Sequence, residues 1–292
     1  MNWLEEYKKS LKMAEVEEVI DLLFYRPLAF LLVISVYNTK IKPDHLTIAA
    51  IVMGLFGGLF YSLGSLTGSI LGALFYVLFN IFDCSDGQLA RIKKNGTSVG
   101  RILDGIADYI ATIAIYTGIA VGYSNKAGQP SLMLLLLALA GISIIIQESL
   151  VDYFRTRFLD IVLKRKNTFI EGIAEYENEF EKIKNQKDKW FEKAIIFIYL
   201  TYSKIQRTLA ARIKRKKSFS ATSQDYFNKN RLIIRFWVFM GPSAKITTLI
   251  LCSLFCRFDL FFWIVIGGFN ILAASLWIIQ FQLDKSFETL KK

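Results

Sequence analysis

The sequence is poor in the residues that build secreted or zinc-bound domains, with three cysteines, four prolines and one histidine among 292 residues. Cys84, Cys252 and Cys256 all fall in apolar stretches and show no paired spacing, which excludes a disulfide framework and a Cys/His zinc site. The lone His45 reads as a surface residue rather than a ligand. No basic helix stands apart from the apolar body, so the net charge of +11 does not mark a nucleic-acid partner. The opening run MNWLEEYKKSLKMAEVEEVI is too charged for a signal peptide.

Apolar residues are abundant instead, at 53% of the chain. Their distribution decides the fold class, because a helix needs roughly 20 apolar residues to cross a bilayer. Six such stretches occur near 46–66, 70–90, 101–123, 131–154, 236–256 and 260–282. The expected architecture is an all-α, polytopic integral membrane protein with six transmembrane helices. Residues 1–39 form an amphipathic interfacial region, with Trp3, Leu4, Leu11 and Val16 among its apolar positions. The run at 27–37 is too short to span and belongs to that lead-in. Spans one to four occupy 40–159, and spans five and six with the C-terminal tail occupy 233–292. Between them, 160–232 is a charged helical insertion, whose Phe169, Ile173, Tyr176, Phe180 and Ile183 repeat at coiled-coil spacing.

Basic residues cluster on alternate loops. Lys40 and Lys42 precede the first span, Arg91, Lys93 and Lys94 follow the second, and Arg155, Arg157 and Lys164 follow the fourth. The positive-inside bias therefore places both termini, the 91–100 turn and the insertion in the cytoplasm. One chain without targeting signals fits a prokaryotic plasma membrane. Membrane lipids are its expected surroundings.

The chemistry concentrates in DCSDGQLARIKKNGTSVGRILDGIADY, residues 83–109. Asp83 and Asp86 share a helix face at i, i+3, and Asp104 and Asp108 do so at i, i+4. Four carboxylates beside a hydrocarbon core repel one another and lose hydration, and such costly groups mark a functional site. A divalent cation resolves the conflict, and an all-oxygen donor set favours Mg²⁺ or Mn²⁺. Gly87 allows close approach of a phosphorylated ligand, Ala90 keeps the next turn shallow and Arg91 offers forked donors to phosphate. Gly100 opens the third span at an anion-favouring helix N-terminus.

Asp83-x-x-Asp86-Gly87-x-x-Ala90-Arg91, eight residues to Gly100, then Asp104 and Asp108, resembles the CDP-alcohol phosphotransferase signature at every fixed position. The resemblance implies an enzyme of phospholipid biosynthesis that passes the phosphatidyl group of a CDP-alcohol, commonly CDP-diacylglycerol, to an acceptor hydroxyl and releases CMP. It also implies that two metal ions are held by Asp83, Asp86 and Asp104, with Asp108 as general base and possible further ligand. Relatives form dimers, so a homodimer is expected, with Gly54, Gly57 and Gly58 as a close-contact face. Pro43-Asp44-His45-Leu46-Thr47 resembles the family's Thr-Pro-Asn-x-x-Thr opening, which would bring Pro43 and Thr47 near the nucleotide; it equally reads as a helix start. Tyr153-Phe154-Arg155-Thr156-Arg157 is similar to a segment found in relatives with phosphorylated acceptors. Arg155 and Arg157, with Lys245 from the fifth span, are thus the candidate acceptor-binding residues, for a polyol such as inositol phosphate or glycerol phosphate. The alternatives are transfer of a headgroup from a soluble CDP-alcohol to a lipid alcohol, or a divalent-cation transporter built on the same carboxylates.

Overall fold

The computed structural model describes residues 3–11, 13–127, 130–164 and 223–288, together with 177, 178, 180–184, 186, 193, 196, 197 and 200. Its helices in chain order are α1 (Trp3–Ser10), α2 (Arg26–Tyr37), α3 (Pro43–Tyr61), α4 (Leu66–Lys93), α5 (Ser98–Ala127) and α6 (Pro130–Val162). After the insertion come α7 (Ser223–Phe239), α8 (Pro242–Leu254), α9 (Phe258–Phe262) and α10 (Asn270–Glu288). Among the described residues there is no strand, and six helical stretches are long and apolar enough to cross a membrane. The chain is an all-α polytopic membrane protein.

Local chemistry sets the helix ends. Pro43 occupies the first turn of α3, and the His45 imidazole Nδ1 accepts the Lys42 backbone N–H at 3.3 Å. The exposed histidine therefore acts as a helix-start cap. Ser65 caps α4 by accepting the Gly68 N–H at 3.0 Å, and Lys94 ends that helix in the left-handed conformation at φ 52°.

Hydropathy does not reveal how the spans pack. The helices α4 and α5 lie side by side only near their turn, because α3 wedges between them along most of their length. Its glycines make the wedge possible. Gly54 faces Ala111, Gly57 faces Ile115 and Gly72, and Gly58 meets Gly118 so closely that a Cβ on Gly118 would fall on the Gly58 carbonyl. Small residues at such crossings let backbones approach without a Cβ between them. The expected close helix contact is therefore made within the chain, against α4 and α5. Gly118→Val is expected to lower the melting temperature in detergent, with a loss of about 1–3 kcal/mol or more from overpacking. An unchanged melt would show that the crossing is not tight.

On the far side, α6 and α10 are joined by amides. The stretch Trp263–Phe269 is a π-helical turn, and its Val265 carbonyl accepts Gln147 Nε2 at 3.0 Å. The same Gln147 nitrogen donates to Asn270 Oδ1 at 2.8 Å, and Asn270 Nδ2 donates to Ser143 at 3.0 Å. The π turn thus offers a carbonyl to a buried side chain where an ordinary helix would use it internally.

The N-terminal region packs partly against the bundle. Trp3–Ser10 forms the first α-helix there, with Trp3 set edge-on to Phe30 and Tyr37 of α2. Leu4 is exposed, whereas Val16 lies in a short 3₁₀ turn and is buried. Next, Asp21–Tyr25 forms a π-helical turn that runs into α2, whose Phe30, Val33 and Val36 pack with Leu46 and Leu89. Ser85 Oγ donates to the Ala29 carbonyl and Gln88 Nε2 to the Arg26 carbonyl, both at 3.2 Å, fixing α2 against α4.

Of the insertion, Phe169, Ile173 and Tyr176 lie outside the described residues. Phe180 and Ile183 gather with Ile196 and Leu200 on Ile102, Val99 and Leu103 of α5. The following helix α7 starts at Ser223, well before the expected fifth span, and packs against α6 through Trp237 stacked on Phe154 with centroids 4.4 Å apart.

Candidate active site

At the end of the bundle where α4 turns into α5 lies a cavity of about 200 Å³. Asp83, Asp86, Asp104 and Asp108 all line it, together with Gly87, Arg91 and Arg155. The i, i+3 and i, i+4 spacings deliver each pair to one face, and the α4–α5 turn brings the pairs together. The Asp83 and Asp104 carboxyls meet directly, and Asp108 lies within Coulombic reach of both Asp83 and Asp104. Thr47 Oγ donates to the Asp86 carboxylate, which joins α3 to the constellation. Asp86 is buried, whereas Asp108 is the exposed member. Asp108 shares the Asp104 face of α5, whereas Ile106, Ile110 and Ile113 lie on the opposite face, exposed where a bilayer would surround the bundle.

The other expected site residues divide. Pro43 is buried at the start of α3, one turn from Thr47, and serves the helix start. Gly87 and Arg91 are in the wall, with the Arg91 Nε anchored on the Ser10 carbonyl. Ala90 is not in the wall. Gly100 sits apart from it too, where its N–H donates to Thr97 Oγ at 2.9 Å and a Cβ would press on Asp44. Arg155 reaches the cavity. Two residues assigned to acceptor binding do not line it, because each has a carboxylate partner elsewhere. Arg157 pairs with Asp284 of α10 at 2.5 Å. Lys245, with only 4% of its side chain exposed, donates to Glu148 at 2.6 Å and to the Met240 carbonyl.

Much of the remaining wall comes from the N-terminal segment and the start of α8: Glu17, Glu18, Asp21, Arg26, Pro242, Ser243 and Ile246. Glu18 accepts the N–H groups of Ser243 at 2.9 Å and Ala244 at 3.3 Å, capping α8 from 225 residues away in sequence. Gly241 leaves room for that carboxylate; a Cβ there would strike it. Asp21 accepts from Ser243 Oγ. Burial, and then the nearby Asp21 and Glu148, push the Glu18 carboxyl well above the usual carboxylate range, against the opposing pull of Lys245. Sequence reasoning passed over this wall. The available signal was three acids, Glu17, Glu18 and Asp21, in a segment otherwise apolar enough to be buried.

Seven carboxyl side chains and three guanidinium groups thus face one small cavity. That imbalance disfavours a bare phosphate and favours a cation. Asp83 Oδ1 is buried without a hydrogen-bond partner, as an oxygen reserved for a cation would be. The all-oxygen donor set suits a hard divalent ion. Among the described residues, however, no three acidic, histidine or cysteine side chains already stand at the spacing of a formed ion site, so binding would draw the carboxylates inward.

Comparison with protein families matches residues 40–170 to the model described as CDP-alcohol phosphatidyltransferase. The match contains the four aspartates, Thr47, Arg91 and Arg155, and leaves the Glu17–Arg26 wall and α8 outside. A search of curated proteins returns no match to this chain.

Proposed function

We propose that this chain, whose residues 40–170 match the CDP-alcohol phosphatidyltransferase model, is a member of that family, transferring a phospho-alcohol group from a CDP-alcohol in phospholipid synthesis, and that its donor is CDP-diacylglycerol and its acceptor a phosphorylated polyol. The observation that carries this reading is the position of Asp108 in the cavity. Of the four aspartates it is the exposed one, on the cavity-facing side of α5. A lipid reactant can bring its headgroup to Asp108 while its acyl chains stay in the bilayer around the bundle. Arg155 in the same cavity supplies a cation for a phosphate on the acceptor.

In this reading Asp83, Asp86 and Asp104 hold two divalent ions, Mg²⁺ or Mn²⁺. Bound there, the ions would neutralise the pyrophosphate and ease departure of CMP. Thr47 orients the Asp86 carboxylate through its hydrogen bond. Arg91, fixed by Ser10, directs its remaining N–H groups to phosphate oxygen. Asp108 takes the proton of the acceptor hydroxyl as that oxygen attacks phosphorus and the bond to CMP breaks. The positive-inside pattern supports a cytoplasmic position for this cavity, open to soluble acceptors.

The test is CMP release from CDP-diacylglycerol with Mg²⁺ or Mn²⁺ against glycerol phosphate, inositol phosphate, serine and, with soluble CDP-alcohols, diacylglycerol. Turnover with a phosphorylated polyol is expected. Arg155→Ala should raise the KM of that acceptor about tenfold, as loss of a charge-assisted hydrogen bond does, while Arg157→Ala leaves it unchanged. Turnover only with serine or diacylglycerol would overturn the acceptor, and divalent-ion transport without CMP release would replace the enzyme reading for this chain.

A further inference from the structure

Arg26, at the start of α2, is 93% buried, since only 7% of its surface is exposed, and it lines the cavity. Its Nη2 pairs with Glu17 at 2.7 Å, and its carbonyl accepts from Gln88. Its Nε and Nη1 have no hydrogen-bond partner. Nε carries one N–H and Nη1 two, so most of the donors of a buried guanidinium are unspent. Leaving buried donors unmade is costly, and a purely structural ion pair would engage them. Glu17 does the opposite. It fixes the guanidinium by one corner and leaves the rest facing the cavity.

The second observation is the neighbour. Arg91 lies within Coulombic reach of Arg26 and lines the same space. Two guanidinium groups flanking one volume repel each other, and an anion placed between them removes that cost. The anion must offer several acceptor oxygens to the planar fork, which phosphate does.

We propose that Arg26 is a substrate-binding residue, its free N–H groups holding a phosphate of the substrate jointly with Arg91. This rests on the transferase reading above and extends its site into a segment outside the family match. The phosphate has two possible sources, the donor's pyrophosphate or the phosphate on the acceptor alcohol. The shared chemistry is a phosphate oxygen accepting from Nε and Nη1.

The experiment uses the full chain in detergent with Mg²⁺. Inorganic pyrophosphate and inorganic phosphate are each tested for protection against thermal unfolding, and KM is measured for CDP-diacylglycerol and for the phosphorylated acceptor. Arg26→Lys keeps the charge and the partnership with Glu17 but loses the fork. The double variant Glu17→Gln/Arg26→Gln removes both charges together, so neither is left unpaired. Both are expected to weaken the protecting anion about tenfold. A KM increase confined to CDP-diacylglycerol assigns the donor's phosphate, and one confined to the acceptor assigns the acceptor's. If both variants keep wild-type protection and both KM values, or if neither anion protects the wild-type chain, the proposal falls. A lower melting temperature with unchanged anion binding likewise makes Arg26 structural and overturns it. If wild-type protein releases no CMP yet its pyrophosphate protection depends on Arg26, the transferase reading fails and the anion site stands.

Discussion

Asp83→Asn and Asp108→Asn should each reduce kcat for CMP release about 10³-fold, a loss typical of removing one preorganised electrostatic group from an active site. The accompanying stability change separates this from damage to the fold. Asparagine matches aspartate in shape but carries no charge, and each substitution relieves repulsion among carboxyls that share one cavity. Melting temperature should therefore hold or rise while activity collapses. The two sites should also differ from one another. Asp83 has a buried oxygen with no partner and meets Asp104, so its loss should weaken protection by Mg²⁺ or Mn²⁺ in a thermal melt. Asp108 is exposed at the rim, so its variant should keep most of that protection and lose the acceptor's deprotonation. Near-normal turnover by either folded variant would sink the assignment of these carboxylates to chemistry.

The constellation of four aspartates was legible because it is local. Two helical spacings and one short turn suffice to bring Asp83, Asp86, Asp104 and Asp108 together, and those are properties of 26 consecutive residues. The six spans were legible because a bilayer imposes one length on every crossing helix. What stayed hidden depends on partners distant in the chain. Nothing near Glu18 announces that it caps α8, and nothing near Arg157 announces Asp284. The arginine pair of the Tyr-x-Arg-x-Arg type illustrates the limit well. Arg155 and Arg157 are two residues apart on α6, and such neighbours point to different faces of a helix. One faces the cavity and the other an ion pair on α10. The glycines of α3 share that limit, since a small-residue face says that something packs closely and not what does.

Lys245 is where that limit has the largest measurable consequence. A lysine in an apolar span reads as a group facing a polar path, and the sequence offered an anionic substrate as its partner. The partner is Glu148, in the fourth span, an ionisable residue at membrane depth that the same principle should have flagged. Lys245→Met breaks a charge-assisted hydrogen bond buried at its lysine end and leaves the partly exposed Glu148 without its cation, so a loss of about 1.5–3 kcal/mol is expected, read as a drop in melting temperature in detergent. Adding Glu148→Gln should recover a substantial part of that loss, because the stranded charge is gone, although the Met240 carbonyl still lacks its donor. If Lys245 instead held substrate, the single variant would melt normally and show a raised KM for the acceptor. The pairing carries a further consequence for the site. Lys245 stands two residues after Ser243, whose N–H Glu18 caps, and Glu148 lies within Coulombic reach of both Glu18 and Asp108. The pair therefore fixes the start of α8 against α6 and neutralises a carboxylate that would otherwise add to the field on Asp108. Activity surviving in the single variant should for that reason show a shifted pH profile, and the Glu148→Gln double variant should return it toward that of the wild-type chain.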